Sequence, residues 1–216
     1  MIVYNREQIE ASVTGKYPNI DCLYNTIKRE TREHMERVGA YAECLYRYLL
    51  KYYEPMVRNN VPCEFDEVSE ELFRYHDLGM TYVPGVILNK VERLTEEEKQ
   101  IIKNHTIYAN DAIKAIYEKY YSDVLCQCFL DIAVGHHERY DGEGYPYNMS
   151  GRHIPFLARI CGIADAFDGI TSWKPYKTVQ TSREKAAEII MSERGRQFDP
   201  FITDIFVKII PGLPEV

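Results

Sequence analysis

Apolar and aromatic residues recur along this chain at steps of three and four. Between residues 22 and 53 they fall at Ile27, Val38, Tyr41, Leu45 and Leu49, the spacing of one face of an α-helix. A second helix is predicted over about 65–78. Thr95-Glu96-Glu97-Glu98 has the form of a capping box. In that motif a threonine accepts from the backbone three residues on and a glutamate reaches back. It predicts a long helix running to about residue 118. Further helices are predicted over about 122–138 and from Ile154 to about Ile170. Thr181-Ser182-Arg183-Glu184 opens another, and Asp199-Pro200 starts the last, with proline at the first helical position. Strand-like alternation is confined to short ambiguous pieces. The pattern therefore predicts an all-α fold, a compact multi-helix bundle. No repeat, low-complexity segment or Pro/Gly/Ser-rich linker divides it, so one domain is expected over residues 1–216.

Histidines and acids interrupt these apolar stripes. In the first long helix Glu30 and His34 share a face with Ile27, Val38, Tyr41 and Leu45. His76 follows Leu72 at i+4, with Asp77 beside it. His105 lies on the stripe of Ile102, Ala109, Ala112 and Ile116. Leu125, Phe129 and Ile132 lead to His136 and His137 at a helix end, and Ile154, Leu157 and Cys161 lead to Asp165, with Asp168 three further on. One inward histidine is ordinarily a hydrogen-bonded core residue, and one inward acid an ion-pair partner. A buried charge is costly unless it is paired or bound to a metal. Five predicted helices with the same anomaly are satisfied together by a shared metal site. Imidazole and carboxylate without cysteine suit Fe, Mn, Co, Ni or Zn. So many ligands exceed one ion, and two or three divalent ions are expected, Fe or Mn first, with Ni, Co, Zn or Mg as alternatives. Metal pairs about 3.5–4 Å apart are typical of phosphate-ester hydrolysis.

Composition narrows this further. Hydrophobic residues make up 45 % of the 216, as in a globular protein. No run approaches the roughly 20 apolar residues that span a bilayer, and MIVYNREQIEAS shows no secretion signal. A cytoplasmic protein without membrane contact is expected. The six scattered cysteines fit reduced thiols used as small hydrophobes. A net charge of −7 argues against binding long nucleic acid, yet it permits a small phosphorylated ligand held by local lysines and metal.

With these residues in place, the chain resembles a known family. His34, His76-Asp77 and Asp165 look like the H…HD…D signature of HD-domain metal-dependent phosphohydrolases. His105, His136-His137 and the stretch HHERYDGEGYP at 136–146 resemble the HD-GYP subfamily. HMERVGAYA, HDLG, IPFLARICGIADAFDGITS, KPYK and GRQFDP agree, and the likeness covers about residues 25–210. It implies an all-α core around a metal centre and hydrolysis of cyclic di-GMP, or of the mixed cyclic GMP-AMP, by a metal-bridging hydroxide. By position, it implies that His34, His76, Asp77 and Asp165 bind one metal. Asp77, His105, His136 and His137 would bind a second, and Glu30 would recruit a third. His76 and Asp77 are then the catalytic pair. Lys174 and Lys177 would contact substrate phosphates, with Asp168 and Arg139 as further candidate contacts. For Arg139, Asp141 and Tyr145 the alternative is bracing of the loop. Gly142 and Gly144 are expected to take positive φ, and Pro146 to stiffen the loop's exit.

Two positions depart from the family's pattern. Met80 stands where HD-[IL]-G-K has lysine, and Ala109 where the H-x-x-x-G around the middle histidine has glycine. Methionine offers no charge and no donor. Beside the cyclic-dinucleotide phosphodiesterase, two alternatives stay open. One is a phosphohydrolase for another nucleotide or phosphomonoester. The other is a catalytically weak module that binds the messenger or a signalling partner protein. A homodimer is compatible with each.

Overall fold

Thr26 turns its hydroxyl back to the Leu23 carbonyl at 2.7 Å, a local bond that competes with the helical ladder. The helix expected over 22–53 is therefore two: α1 at Ile20–Tyr24 and α2 at Arg29–Tyr52. The computed structural model describes residues 20–117, 122–172 and 180–215. Among these, no strand accompanies the helices; one isolated bridge joins Arg194 to Phe198. The fold is all-α, as the periodicity predicts.

α2 is the axis of the packing. Met35, Val38, Tyr41, Ala42, Leu45, Tyr46 and Leu49 are its buried face, at the spacing of one helical stripe. After α3 (Glu54–Arg58) and a 3₁₀ turn at Cys63–Glu67 comes α4, Ser69–Arg74. The single helix expected over 65–78 is thus a 3₁₀ turn, α4 and a second 3₁₀ segment, Tyr75–Tyr82, in which Asp77 has φ −96° and ψ 17°. That is the bridge region, where helical hydrogen bonding lapses. α5 is Gly85–Leu88.

The Thr95–Glu98 capping box forms as expected. Glu98 N–H donates to Thr95 Oγ1 at 3.2 Å and Thr95 N–H to the Glu98 carboxylate at 2.8 Å. The helix it opens is not continuous to 118. It divides at Asn104 into α6, Glu96–Lys103, and α7, His105–Tyr117. At that point the His105 ring takes the Ile102 carbonyl. α8 (Asp123–Gly135) is capped by Ser122, α10 (Arg183–Ser192) by Ser182 and α11 (Pro200–Ile209) by Asp199. α9 is Phe156–Thr171. α2 packs against α4 and α9, α7 against the Tyr75–Tyr82 segment and α8, and α8 against α9. These packed elements bring His34, His76, His105 and His136 around Asp77. No helix among the described residues is long and apolar enough to cross a membrane.

Gly79 fixes the closest approach. A Cβ there would lie 1.9 Å from the His105 carbonyl oxygen and 2.7 Å from Ala109 N, so the Tyr75–Tyr82 backbone lies directly on α7. Replacing Gly79 by Ala should force the two apart and lose about 3 kcal/mol, the upper range for overpacking. Differential scanning calorimetry should show Tm lower by about 6–12 °C.

Candidate metal centre

Four imidazoles turn the same atom, Nε2, toward one carboxylate. From Asp77 the distances are 3.1 Å to His105, 3.6 Å to His136, 3.7 Å to His76 and 3.8 Å to His34. Their other nitrogen is fixed by the elements that carry them. His76 Nδ1–H donates to the Phe73 carbonyl at 3.1 Å and His105 Nδ1–H to Ile102 at 2.7 Å. His136 Nδ1–H lies 3.1 Å from both the Ile132 and the Ala133 carbonyls. Each carbonyl lies three or four residues earlier, in the last turn of the helix that ends just before the histidine, so placing histidine just past a helix end orients its ring. A backbone acceptor on Nδ1 leaves the Nε2 lone pair for a cation.

His34 is oriented differently. Its Nδ1 is 2.7 Å from Asp168 Oδ2, and Arg37 holds the same carboxylate through Nε at 2.6 Å and Nη2 at 3.1 Å. Its Nε2 is 3.2 Å from Asp165, which also faces His137 Nδ1 at 3.8 Å. Two ligand groups result, sharing Asp77: Asp77 with His105, His136 and His137, and Asp77 with His34 and His76. The first group brings together the residues of one expected set; the second brings together His34, His76 and Asp77 of the other without Asp165, which lies beside His34 and His137.

The electrostatics call for positive charge at the centre. Burial pushes His76 down to about 4, and burial with the neighbouring His136 pushes His137 well below the usual imidazole range. Burial opposes protonation of His34 too, but its bonds to Asp165 and Asp168 outweigh this and raise it to about 10. Burial would raise the Asp77 and Asp165 carboxyls, yet the surrounding imidazoles hold both below the ordinary carboxylate range. The Nε2 atoms of His76, His105 and His136 are buried and make no hydrogen bond. Orphaned lone pairs around an ionised carboxylate, with no thiolate among them, fit a divalent metal.

Several expectations need correction. Glu30 is exposed in the first turn of α2, outside both ligand groups, and lines a groove with Glu33, Arg37 and Asp168. Asp168 is only 1 % exposed, with both oxygens taken by Arg37 and His34. It stands behind His34 and positions that ring. Gly142 does have positive φ, +85°. Gly144 does not; instead a Cβ there would lie 2.2 Å from Arg139 N, so it is needed for close approach. Arg139 pairs with Asp141 at 2.6 Å and 3.1 Å, the bracing alternative. Lys174 and Lys177 lie outside the described residues.

Other functional residues carry no clear sequence signal. Glu138 is 7 % exposed and accepts from Tyr147 N–H at 2.7 Å and Met149 N–H at 2.9 Å, closing the glycine-rich loop. Arg37 lies one turn after His34, and its spacing alone could have suggested it. A cavity of about 270 Å³ opens beside the centre, lined by His136, His137, Asp165, Lys103, Arg139 and Tyr145 among others. A broader groove of about 710 Å³, which includes Glu30, Arg37, Asp168 and Arg183, lies on the other side of His34.

Residues 72–202 match the HD domain family. The chain is 32 % identical, over 97 % of its length, to a 3′3′-cGAMP-specific phosphodiesterase of Vibrio cholerae. It is 35 % identical, over 96 %, to a cyclic di-GMP phosphodiesterase of Pseudomonas aeruginosa. It spans 40 % and 46 % of those relatives' lengths. Among solved structures, an HDGYP protein from Bdellovibrio bacteriovorus superposes with a TM-score of 0.58 at 14 % identity, covering 96 % of this chain and 69 % of that one.

Asp168→Asn should weaken the hold on His34 and lower Mn²⁺ affinity about 10–100-fold, the usual effect of losing such a partner, as read by calorimetric titration. Because His34 keeps its proton up to about pH 10, an entering ion must displace it. Apparent affinity should therefore rise with pH through the neutral range, approaching about tenfold per unit for one proton released. Titrations in buffers of different ionisation enthalpy check the proton count.

Proposed function

The chain belongs to the HD domain family, of the HD-GYP type, and on that premise we propose that it is a metal-dependent phosphodiesterase acting on a cyclic dinucleotide, cyclic di-GMP or 3′3′-cGAMP. The observation that carries this is the pair of ligand groups sharing Asp77, with three buried imidazole nitrogens that bind nothing else. Two ions, Fe or Mn, are the count these groups accommodate, and Glu30 stays outside them. The chemistry such ions supply when bound is polarisation of the phosphodiester and acidification of attacking water.

The chain's own residues do the rest. His34, His76, His105, His136 and His137 hold the ions, and Asp168 behind His34 and the carbonyls behind His76, His105 and His136 keep those four rings from turning. Asp77, ionised and central, is the shared ligand. Asp165 is also anionic and stands at the cavity wall beside His34 and His137, where it would complete the ligand set of the ion held by His34 and His76. Lys174 and Lys177 are kept as candidate phosphate contacts. The relatives' activities, on cyclic di-GMP and on 3′3′-cGAMP, supply the substrate class.

A second reading, a messenger-binding module with little turnover, is favoured by Met80, which packs half-buried against the core and brings no charge. Both are tested by loading the chain with Fe²⁺ or Mn²⁺ anaerobically and digesting each dinucleotide. Linear product from the wild type, with loss of both product and bound metal in His136→Ala, is the expected outcome. Tight binding without product at every metal selects the second reading, and full metal content in His136→Ala contradicts the ligand assignment.

A further inference from the structure

Cations in the 270 Å³ cavity are not equivalent. Arg139 is neutralised by Asp141 at 2.6 Å, and Arg159 by Asp199 at 2.5 Å. Lys103 lines the same cavity and has no carboxylate partner among the described residues. Its ammonium lies 5.2 Å from the centre of the Tyr145 ring. That ring in turn lies 4.8 Å from the His137 ring, tilted by 31°. Lysine, tyrosine and a candidate metal ligand therefore form a stack against one wall of the cavity.

The stack has a rigid base. Lys103 is the last residue of α6, two before His105, whose ring is tied to the Ile102 carbonyl. Tyr145 N–H donates to the His137 carbonyl at 3.2 Å, and Glu138 and Gly144 hold the rest of its loop. A flexible ammonium over an aromatic face is confined without being neutralised. The segment Tyr75–Tyr82 supplies no cation of its own, since Met80 follows Gly79. A mobile positive charge held at the mouth of a site built for phosphoryl chemistry matches a phosphate oxygen of the substrate.

We propose that Lys103, held over Tyr145, binds a phosphate of the cyclic dinucleotide in the cavity beside His137 and Asp165. This rests on the phosphodiesterase reading above. Lysine binds phosphate as a point charge, without the fixed fork of arginine, so the contact tolerates Arg and not a neutral residue. Tyr145 acts on it as a positioning residue.

The test uses the Mn²⁺-loaded full chain and a phosphorothioate analogue of cyclic di-GMP that resists hydrolysis. Kd is measured by calorimetry at several salt concentrations, and metal content by elemental analysis. Lys103→Gln should raise Kd about tenfold, the loss of one charge-assisted contact, and flatten the salt dependence. Metal content and Tm should not change, because the side chain is exposed. Lys103→Arg should stay within about threefold of wild type, and Tyr145→Leu should fall between. A Kd for Lys103→Gln within twofold of wild type overturns the assignment and leaves the phosphodiesterase reading standing. A metal-loaded wild type that binds neither this analogue nor its cGAMP counterpart removes that reading and the assignment with it.

Discussion

Asp77 sits among imidazole nitrogens that have nothing else to bind. Each buried polar atom left without a partner costs about 1–3 kcal/mol. Three such atoms, His76, His105 and His136 Nε2, together cost a sizeable part of the roughly 5–15 kcal/mol that separates a folded domain from its unfolded chain. Protons offset this only in part. His34 sits against two carboxylates and holds a proton well above neutrality, while burial keeps His76 and His137 neutral. A divalent cation resolves both preferences, since it takes lone pairs and carboxylates alike. Ion binding and the stability of the bundle's centre are then one free-energy term, and the helices converge because their ligands do.

That convergence depends on a second layer. The helix carbonyls behind His76, His105 and His136 cost no extra side chains; each is available because the histidine stands near the end of a helical turn. His34 lies mid-helix in α2, where the carbonyls are already engaged, and it needs Asp168 instead. Asp168 in turn needs Arg37, because a carboxylate that is 1 % exposed requires a compensating charge. The Asp168–Arg37 pair is therefore a consequence of where His34 sits.

How much of this was legible in the sequence follows from the range of the forces involved. The caps at Thr95, Ser182 and Asp199 were legible because they are local. The all-α class was legible from spacing. The metal-type residues stood out as polar residues on otherwise apolar stripes, and five of those stripes do meet. The breaks after Tyr24 and at Asn104 were not legible, because side chains such as Thr26 and His105 draw carbonyls out of the ladder without disturbing the apolar period. Glu30 has the right spacing, but a stripe cannot show where packing stops. Gly144 looks like a turn residue, and only the approach of Arg139's backbone shows its role. Asp168 was visible as an inward acid, but its partner Arg37 lies 131 residues away in the chain.

The same logic separates the two openings beside the centre. On one side of His34 the groove holds Glu30, Glu33 and Asp168 together with Arg37 and Arg183; Arg37 is spent on Asp168 and Arg183 on the carbonyls of Ile210, Leu213 and Pro214. On the other the cavity carries Lys103 without a carboxylate partner and meets His137 and Asp165 directly. A chain with a net charge of −7 repels a phosphorylated ligand at long range. Attraction must then come from charge concentrated where the ligand sits, in a cavity whose low-dielectric walls strengthen it. Cations bound at Asp77 and the lysine across the cavity, which has no carboxylate partner among the described residues, would provide that concentration. Under the proposed function, an acidic exterior and an anionic substrate are then compatible, because the decisive charges are few and close.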